Sequence, residues 1–212
     1  MVMGKPLRGQ ISLEFMLVFG LMMFLLIYSI NNATFSGNSA SVQILRTQIG
    51  VEEKTLANAI SNAISQVYAQ GPGSKATVYV SLVYLRNSEM LRKGLGVETP
   101  MVFITFGNYS TLGNGTYVAV AANGSEVVLT GGDKTAFWSR SLYSKNLYSR
   151  DSIWNPLATV KFGSMVVYGI GISPDSIPPS LRIVAEWNPD LPNGWSFDPV
   201  AGEIRININP GD

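Results

Sequence analysis

The hydrophobic positions of this chain follow three different rules in succession. Ile11 to Ile30 reads ISLEFMLVFGLMMFLLIYSI, twenty residues without a polar face and with Glu14 as their sole charge. A helix apolar all round belongs in a membrane or inside a bundle. As a helix this run rises about 30 Å, the thickness of a bilayer's hydrocarbon core. Lys5 and Arg8 lie just before it, so the positive-inside rule keeps the N-terminus cytoplasmic and exports the C-terminal bulk. From Ser41 a helical period takes over, with Val42, Leu45, Ile49, Leu56, Ile60, Ile64 and Val67 on one stripe. Gly71-Pro72-Gly73 ends it. The pattern predicts one helix from Gln10 to Gln70, loosened near Gly37 in a tract of Asn, Ser and Gly; unbroken, it is about 90 Å long.

From Ala76 the period shifts towards two and β-branched and aromatic residues dominate. The predicted strands are Ala76–Leu85, Met101–Phe106, Thr116–Ala122, Ser125–Thr130, Met165–Ile172, Leu181–Trp187 and Gly202–Ile208. Asn123-Gly124 reads as a two-residue hairpin between the third and fourth of them. Asn87 to Gly96 holds a short helical turn. The expected fold class is therefore α+β, a long N-terminal hydrophobic helix followed by an antiparallel β-sandwich or barrel head.

Composition narrows the function classes. Apolar residues make up 46% and charged residues 14% of the 212 positions, with a mean hydropathy of +0.19, which excludes a disordered chain. Fifteen basic and fourteen acidic side chains give a net charge of +1, so no global field draws nucleic acid. The absence of Cys and His removes disulfides, thiolate zinc sites, cysteine nucleophiles and the Ser-His-Asp triad. No cofactor, metal site or catalytic residue is expected, and an enzyme is the third-ranked class.

Glu14 is the unusual residue of the apolar run. A carboxylate inside a span costs on the order of 2.5–3.5 kcal/mol at a helix centre and less near an end, so it calls for a partner or for snorkelling to the headgroups. Its surroundings, Arg8-Gly9-Gln10-Ile11-Ser12-Leu13-Glu14-Phe15, resemble the class III signal peptide of archaeal type IV pilins: a short basic leader, a Gly, then Gln-x-Ser-x-Glu and a hydrophobic helix. The resemblance covers roughly the first thirty residues. It implies cleavage by a prepilin peptidase between Gly9 and Gln10, so that residues 1–9 form a leader, 10–70 the pilin helix (10–30 hydrophobic and transmembrane, 40–70 amphipathic) and 74–212 an extracellular β-rich head. Arg8, Gln10, Ser12, Glu14 and Phe15 then form the processing and assembly motif. The new α-amine of Gln10, with a reference pKa near 8, would meet a neighbouring subunit's Glu14 in low dielectric and report correct insertion depth.

The head offers fainter signals. Four N-glycosylation sequons occur, at Asn32, Asn108, Asn114 and Asn123, the last three clustered in predicted turns. Phe137 to Arg150 interleaves aromatic and basic residues, a composition that stacks on bases or sugars or packs a loop on the head. Asp133, Asp151, Asp175, Asp190 and Asp198 show no calcium-loop spacing.

Two functions stay open on the sequence. One is the structural subunit of a type IV pilus-like extracellular filament for surface attachment, polymerising through its N-terminal helix. Its partners are copies of itself, the membrane before assembly, the peptidase and pilus machinery, and glycans. The other is a low-copy minor pilin or a membrane-anchored cell-surface binding domain.

Overall fold

The computed structural model describes residues 8–35, 40–109, 113–129, 135–145, 147 and 153–211, with the side chains of 8–13 and 31–35 outside the description. The chain divides into two compact units, Met1–Leu45 and Arg46–Asp212.

In the first unit, helix α1 spans Arg8–Phe35. Leu, Met, Phe and Ile fill it without a Pro, so nothing local interrupts it. The second helix, α2, spans Ala40–Gln70. The expected single helix from Gln10 to Gln70 is thus replaced by two, belonging largely to different units; Gly37 falls outside the described residues. The expected membrane span is corrected too: among the described residues no helix is long and apolar enough to cross a membrane.

The second unit is built on α2. Ile49, Leu56, Ile60, Ile64 and Val67 are fully buried, following the helical stripe, whereas Val42 and Leu45 at its start are only half-buried. Gly71, at φ +90°, turns the chain, which a residue with a Cβ resists, and its N–H caps the Val67 carbonyl at 3.1 Å.

Ten strands follow: β1 (Lys75–Ser81), β2 (Met101–Gly107), β3 (Gly115–Ala121), β4 (Ala136–Arg140), β5 (Trp154–Asn155), β6 (Leu157–Phe162), β7 (Met165–Ile172), β8 (Ser180–Glu186), β9 (Gly194–Asp198) and β10 (Glu203–Asn207). A short helix, α3 (Ser88–Leu95), lies between β1 and β2, capped by the Asn87 side chain on the Met90 N–H and ended by Gly96 in the left-handed region. The strands form two five-stranded sheets, ordered β1-β8-β10-β9-β5 and β4-β3-β2-β7-β6.

The antiparallel expectation fails for the first sheet. There β10 runs parallel to β8, and β5 parallel to β9. The cause is topological. β9 and β10 pair as an antiparallel hairpin, but β10 takes the place beside β8, so the chain leaving Glu186 must pass that place to reach β9. Side-chain amides hold this crossing. Asn207 Nδ2 donates to the carbonyls of Leu191 and Pro192 at 2.9 and 2.8 Å, and Asn193 Nδ2 donates to that of Asn209 at 2.9 Å. The second sheet is wholly antiparallel.

The described part of the expected strand Ser125–Thr130, residues 125–129, is not a strand, so Asn123-Gly124 does not turn a β-hairpin. Its segment laps instead along the free edge of β6: the Gly124 N–H reaches the Thr159 carbonyl at 2.7 Å, and the Lys161 N–H reaches the Ser125 carbonyl at 2.8 Å. Covering an exposed edge in this way is a common defence against edge-to-edge association. One face of the second sheet buries Phe103, Tyr117, Ala119, Val160, Phe162 and Val167 together with Tyr109. On the other face Phe106 packs 5.9 Å from Trp195 of β9 and 5.7 Å from Tyr143, and Thr116 meets Ser61 of α2.

Candidate functional site

The residues of the sequence motif all fall on α1. The backbone of Arg8, Gly9, Gln10 and Ser12 is helical, with their side chains outside the description. Glu14 and Phe15 are both exposed, and Phe15 stacks on Phe19 at a centroid distance of 6.3 Å. Glu14 follows Gln10 by four positions, one helical turn.

What sets α1 apart is its surface. Fourteen large apolar side chains between Phe15 and Ile30 are exposed, from 47% at Met23 to 72% at Met16. They lie on every side of the helix, so no single flat partner could cover them. A contiguous apolar surface of this kind marks an interaction site. Burying what remains exposed of fourteen such side chains is worth on the order of 10 kcal/mol per chain.

The sequons differ in access. Asn108 is exposed at the end of β2. Asn123 is exposed in its turn, its Oδ1 accepting the Thr159 N–H at 3.0 Å. Asn114 is drawn inward instead: its Nδ2 donates to the Ser144 carbonyl at 2.8 Å, and its Oδ1 is buried. Asn114 is half-buried, less open than the other two. Asn32 is helical in backbone, its side chain outside the description.

In the aromatic–basic segment the described aromatic side chains pack on the head, with Phe137 and Trp138 half-buried and Tyr143 buried, while Arg140 and Leu142 are exposed. Phe137 and Trp138 lie on β4, where Phe137 abuts Gly50 so closely that a Cβ there would come 2.6 Å from the ring. Lys54 donates to the Trp138 carbonyl. Tyr143 and Leu147 are 2% and 4% exposed, and the Tyr143 hydroxyl lies 2.6 Å from Asn193 Oδ1. Asn146 and residues 148–150 fall outside the description. Asp198 accepts from Val200 and Ala201 N–H in a turn, and Asp175 accepts from Ser88; Asp133 and Asp151 lie outside the described residues. Among those residues no group of three or more acidic side chains could hold a metal ion.

The head holds two carboxylates the sequence reading passed over. Glu52 accepts three consecutive backbone N–H groups, from Val83 at 2.7 Å and from Tyr84 and Leu85 at 2.9 Å, tying α2 to the segment after β1. Glu53 is 3% exposed, and burial pushes its carboxyl well above the usual range, only partly opposed by a hydrogen bond from the Val120 backbone. A signal existed: Glu53 follows Ile49 by four residues and precedes Leu56 by three, in phase with the buried stripe. On the outer face of the first sheet, Glu203 is buried beneath Arg182, whose Nε is 3.1 Å away, and Arg205. A cleft of about 400 Å³ beside α3 is lined by Arg86, Arg92, Glu89, Glu98 and Asp175 among others; its charges are mixed and its walls open.

Comparison with family models, with curated proteins and with solved structures finds no match.

Proposed function

We propose that the chain is the structural subunit of an extracellular, type IV pilus-like filament used for surface attachment, polymerising through α1. The observation that carries this reading is the apolar surface of α1, exposed on all sides over 14–30. A helix of that kind needs cover from every direction, and packing among identical helices around a filament axis supplies it. The resemblance of Arg8–Phe15 to a class III signal peptide supports the same reading from the sequence. Before assembly, lipid takes the place of the neighbouring helices. After cleavage at Gly9, the Gln10 amine of one subunit faces Glu14 of the next, and a subunit at the wrong depth leaves both charges unpaired. Copies of the chain, the peptidase and the assembly machinery are the partners, and Asn108 and Asn123 are the sequons best placed for glycans.

The test is to shear surface filaments from cells, image them by electron microscopy and sequence the N-terminus of the constituent band. Filaments made mainly of this chain and starting at Gln10 are expected. Chain that stays in the membrane fraction with Met1 in place, and no filaments containing it, would overturn the proposal in favour of an anchored binding domain.

A further inference from the structure

Glu53 has no place in filament assembly, yet it occupies the interior of the head. It sits on α2 among Ile49, Leu56, Ala57 and Ile60, each 0% exposed. The Val120 backbone of β3 is the one group that favours its ionised form, and its Oε1 has no hydrogen-bond partner. Val120 lies one residue beyond Ala119, where the β3–β4 ladder ends at Ala136.

Among the described residues no cation balances it. On α2 itself, the flanking Glu52 is spent on the N–H groups of residues 83–85 and Lys54 on the Trp138 carbonyl. Arg46 is bonded to the Gly94 carbonyl of α3. On α3, Lys93 pairs with Glu89, and Arg92 is exposed. β3 carries no acidic or basic residue besides Tyr117, whose ring belongs to the cluster on the opposite face of the sheet. Arg140, the single charge of β4, is exposed. An ionised carboxylate here would meet a desolvation penalty of several kcal/mol with one backbone hydrogen bond against it. The neutral acid escapes most of that penalty.

We infer that the folded head holds Glu53 as the uncharged acid, so that rising pH loosens α2 from β3 and the head is more stable in acid than near neutrality. The direction follows from proton linkage. Unfolded, Glu53 ionises near 4.3. Folded, burial raises its pKa well above that. Between the two values the folded state holds the extra proton, so stability is full below the unfolded pKa and is lost as pH climbs through the folded one. The folding constant falls by up to about ten-fold per pH unit over that interval.

The full chain in detergent micelles is unfolded with urea at intervals from pH 5.5 to 8, a range in which ordinary carboxylates are already ionised in both states. The wild-type folding constant should fall across it, by at most about ten-fold per pH unit. Glu53→Gln should flatten the profile and exceed the wild type at pH 8, while Glu52→Gln should keep the wild-type slope. Separately, 13C spectra of Glu-labelled chain at pH 6 should contain one side-chain carboxyl resonance at the protonated position, absent from Glu53→Gln. A wild-type profile no steeper than that of Glu53→Gln overturns the inference. So does a pH 6 spectrum with every Glu carboxyl ionised, a measurement that needs no variant to fold.

Discussion

Replacing Ser61 by alanine tests how α2 is fastened to the second sheet. Its hydroxyl oxygen lies 2.7 Å from the Ser139 carbonyl, 2.9 Å from the Thr116 hydroxyl and 3.2 Å from the Thr116 N–H. Thr116 and Ser139 face each other across β3 and β4, so a helical side chain joins two strands at one ladder position. Ser61 and Thr116 are both 0% exposed, leaving no room for water to replace what is removed. Its contacts with the Ser139 carbonyl, the Thr116 hydroxyl and the Thr116 N–H would be lost, at about 0.5–1.5 kcal/mol apiece. Alanine returns roughly 0.5 kcal/mol of helix propensity. The net loss is about 1–4 kcal/mol, and at about 2–4 °C per kcal/mol for a chain of this size the Tm should drop by roughly 2–16 °C. Thermal unfolding of the full chain, followed by tryptophan fluorescence, measures it. Thr55→Ala is the control, since that hydroxyl bonds only to the Val51 carbonyl of its own helix at an exposed position, and should cost under about 0.5 kcal/mol. A Ser61→Ala Tm within about 1 °C of wild type would refute the argument that this hydroxyl bridges the strands.

Gly169→Ala should destabilise the head by about 2–3 kcal/mol in urea titrations, because its Cβ would lie 2.4 Å from the Ile104 carbonyl oxygen and 2.7 Å from the Phe103 ring; an unchanged midpoint would contradict the β2–β7 packing. Glu14→Gln should leave processed chain stranded in the membrane fraction with few filaments, since a neighbour's Gln10 amine would lose its counter-charge. Filament counts by microscopy equal to wild type would remove the pairing from the assembly mechanism. Glycopeptide mass spectrometry of native material should find occupancy at Asn108 or Asn123 exceeding that at Asn114, whose amide is tied to Ser144; the reverse order would contradict the inward placement of Asn114.

The sequence announced those elements whose period was unbroken. Met165–Ile172 is a strand from end to end as read, and Met101–Phe106 is off by one residue, because uninterrupted β-branched and aromatic runs leave little alternative. Gly71 and Gly96 marked helix ends by the same backbone chemistry that the structure displays at both. Strands without a strong pattern went unread. β6 begins directly after Pro156 and carries Lys161, and β9 has only five residues between a turn and Pro199. β4 was hidden by its own composition: Phe137, Trp138 and Arg140 look like a binding loop until Gly50 and Lys54 of α2 are seen against them. The parallel pairs could not be read at all, since no local period distinguishes the place beside β8 from the place beside β9. Of the motif at the start, the sequence already carried everything argued from it, and the structure adds the exposure of Glu14, Phe15 and the apolar surface after them.

The position of β10 bears on how the head is made. It follows the other nine strands in sequence, yet it is the middle strand of the first sheet, with β1 and β8 on one side and β9 and β5 on the other. A chain emerging N-terminus first can pair β1 with β8, but that pair has no neighbour until Glu203–Asn207 has come out. β5 and β9 likewise have nothing to join them to it. Completion of the sheet is thereby deferred to the end of synthesis or translocation. Until then the first sheet stays open along its centre, and the last five-residue strand seals both halves in one step.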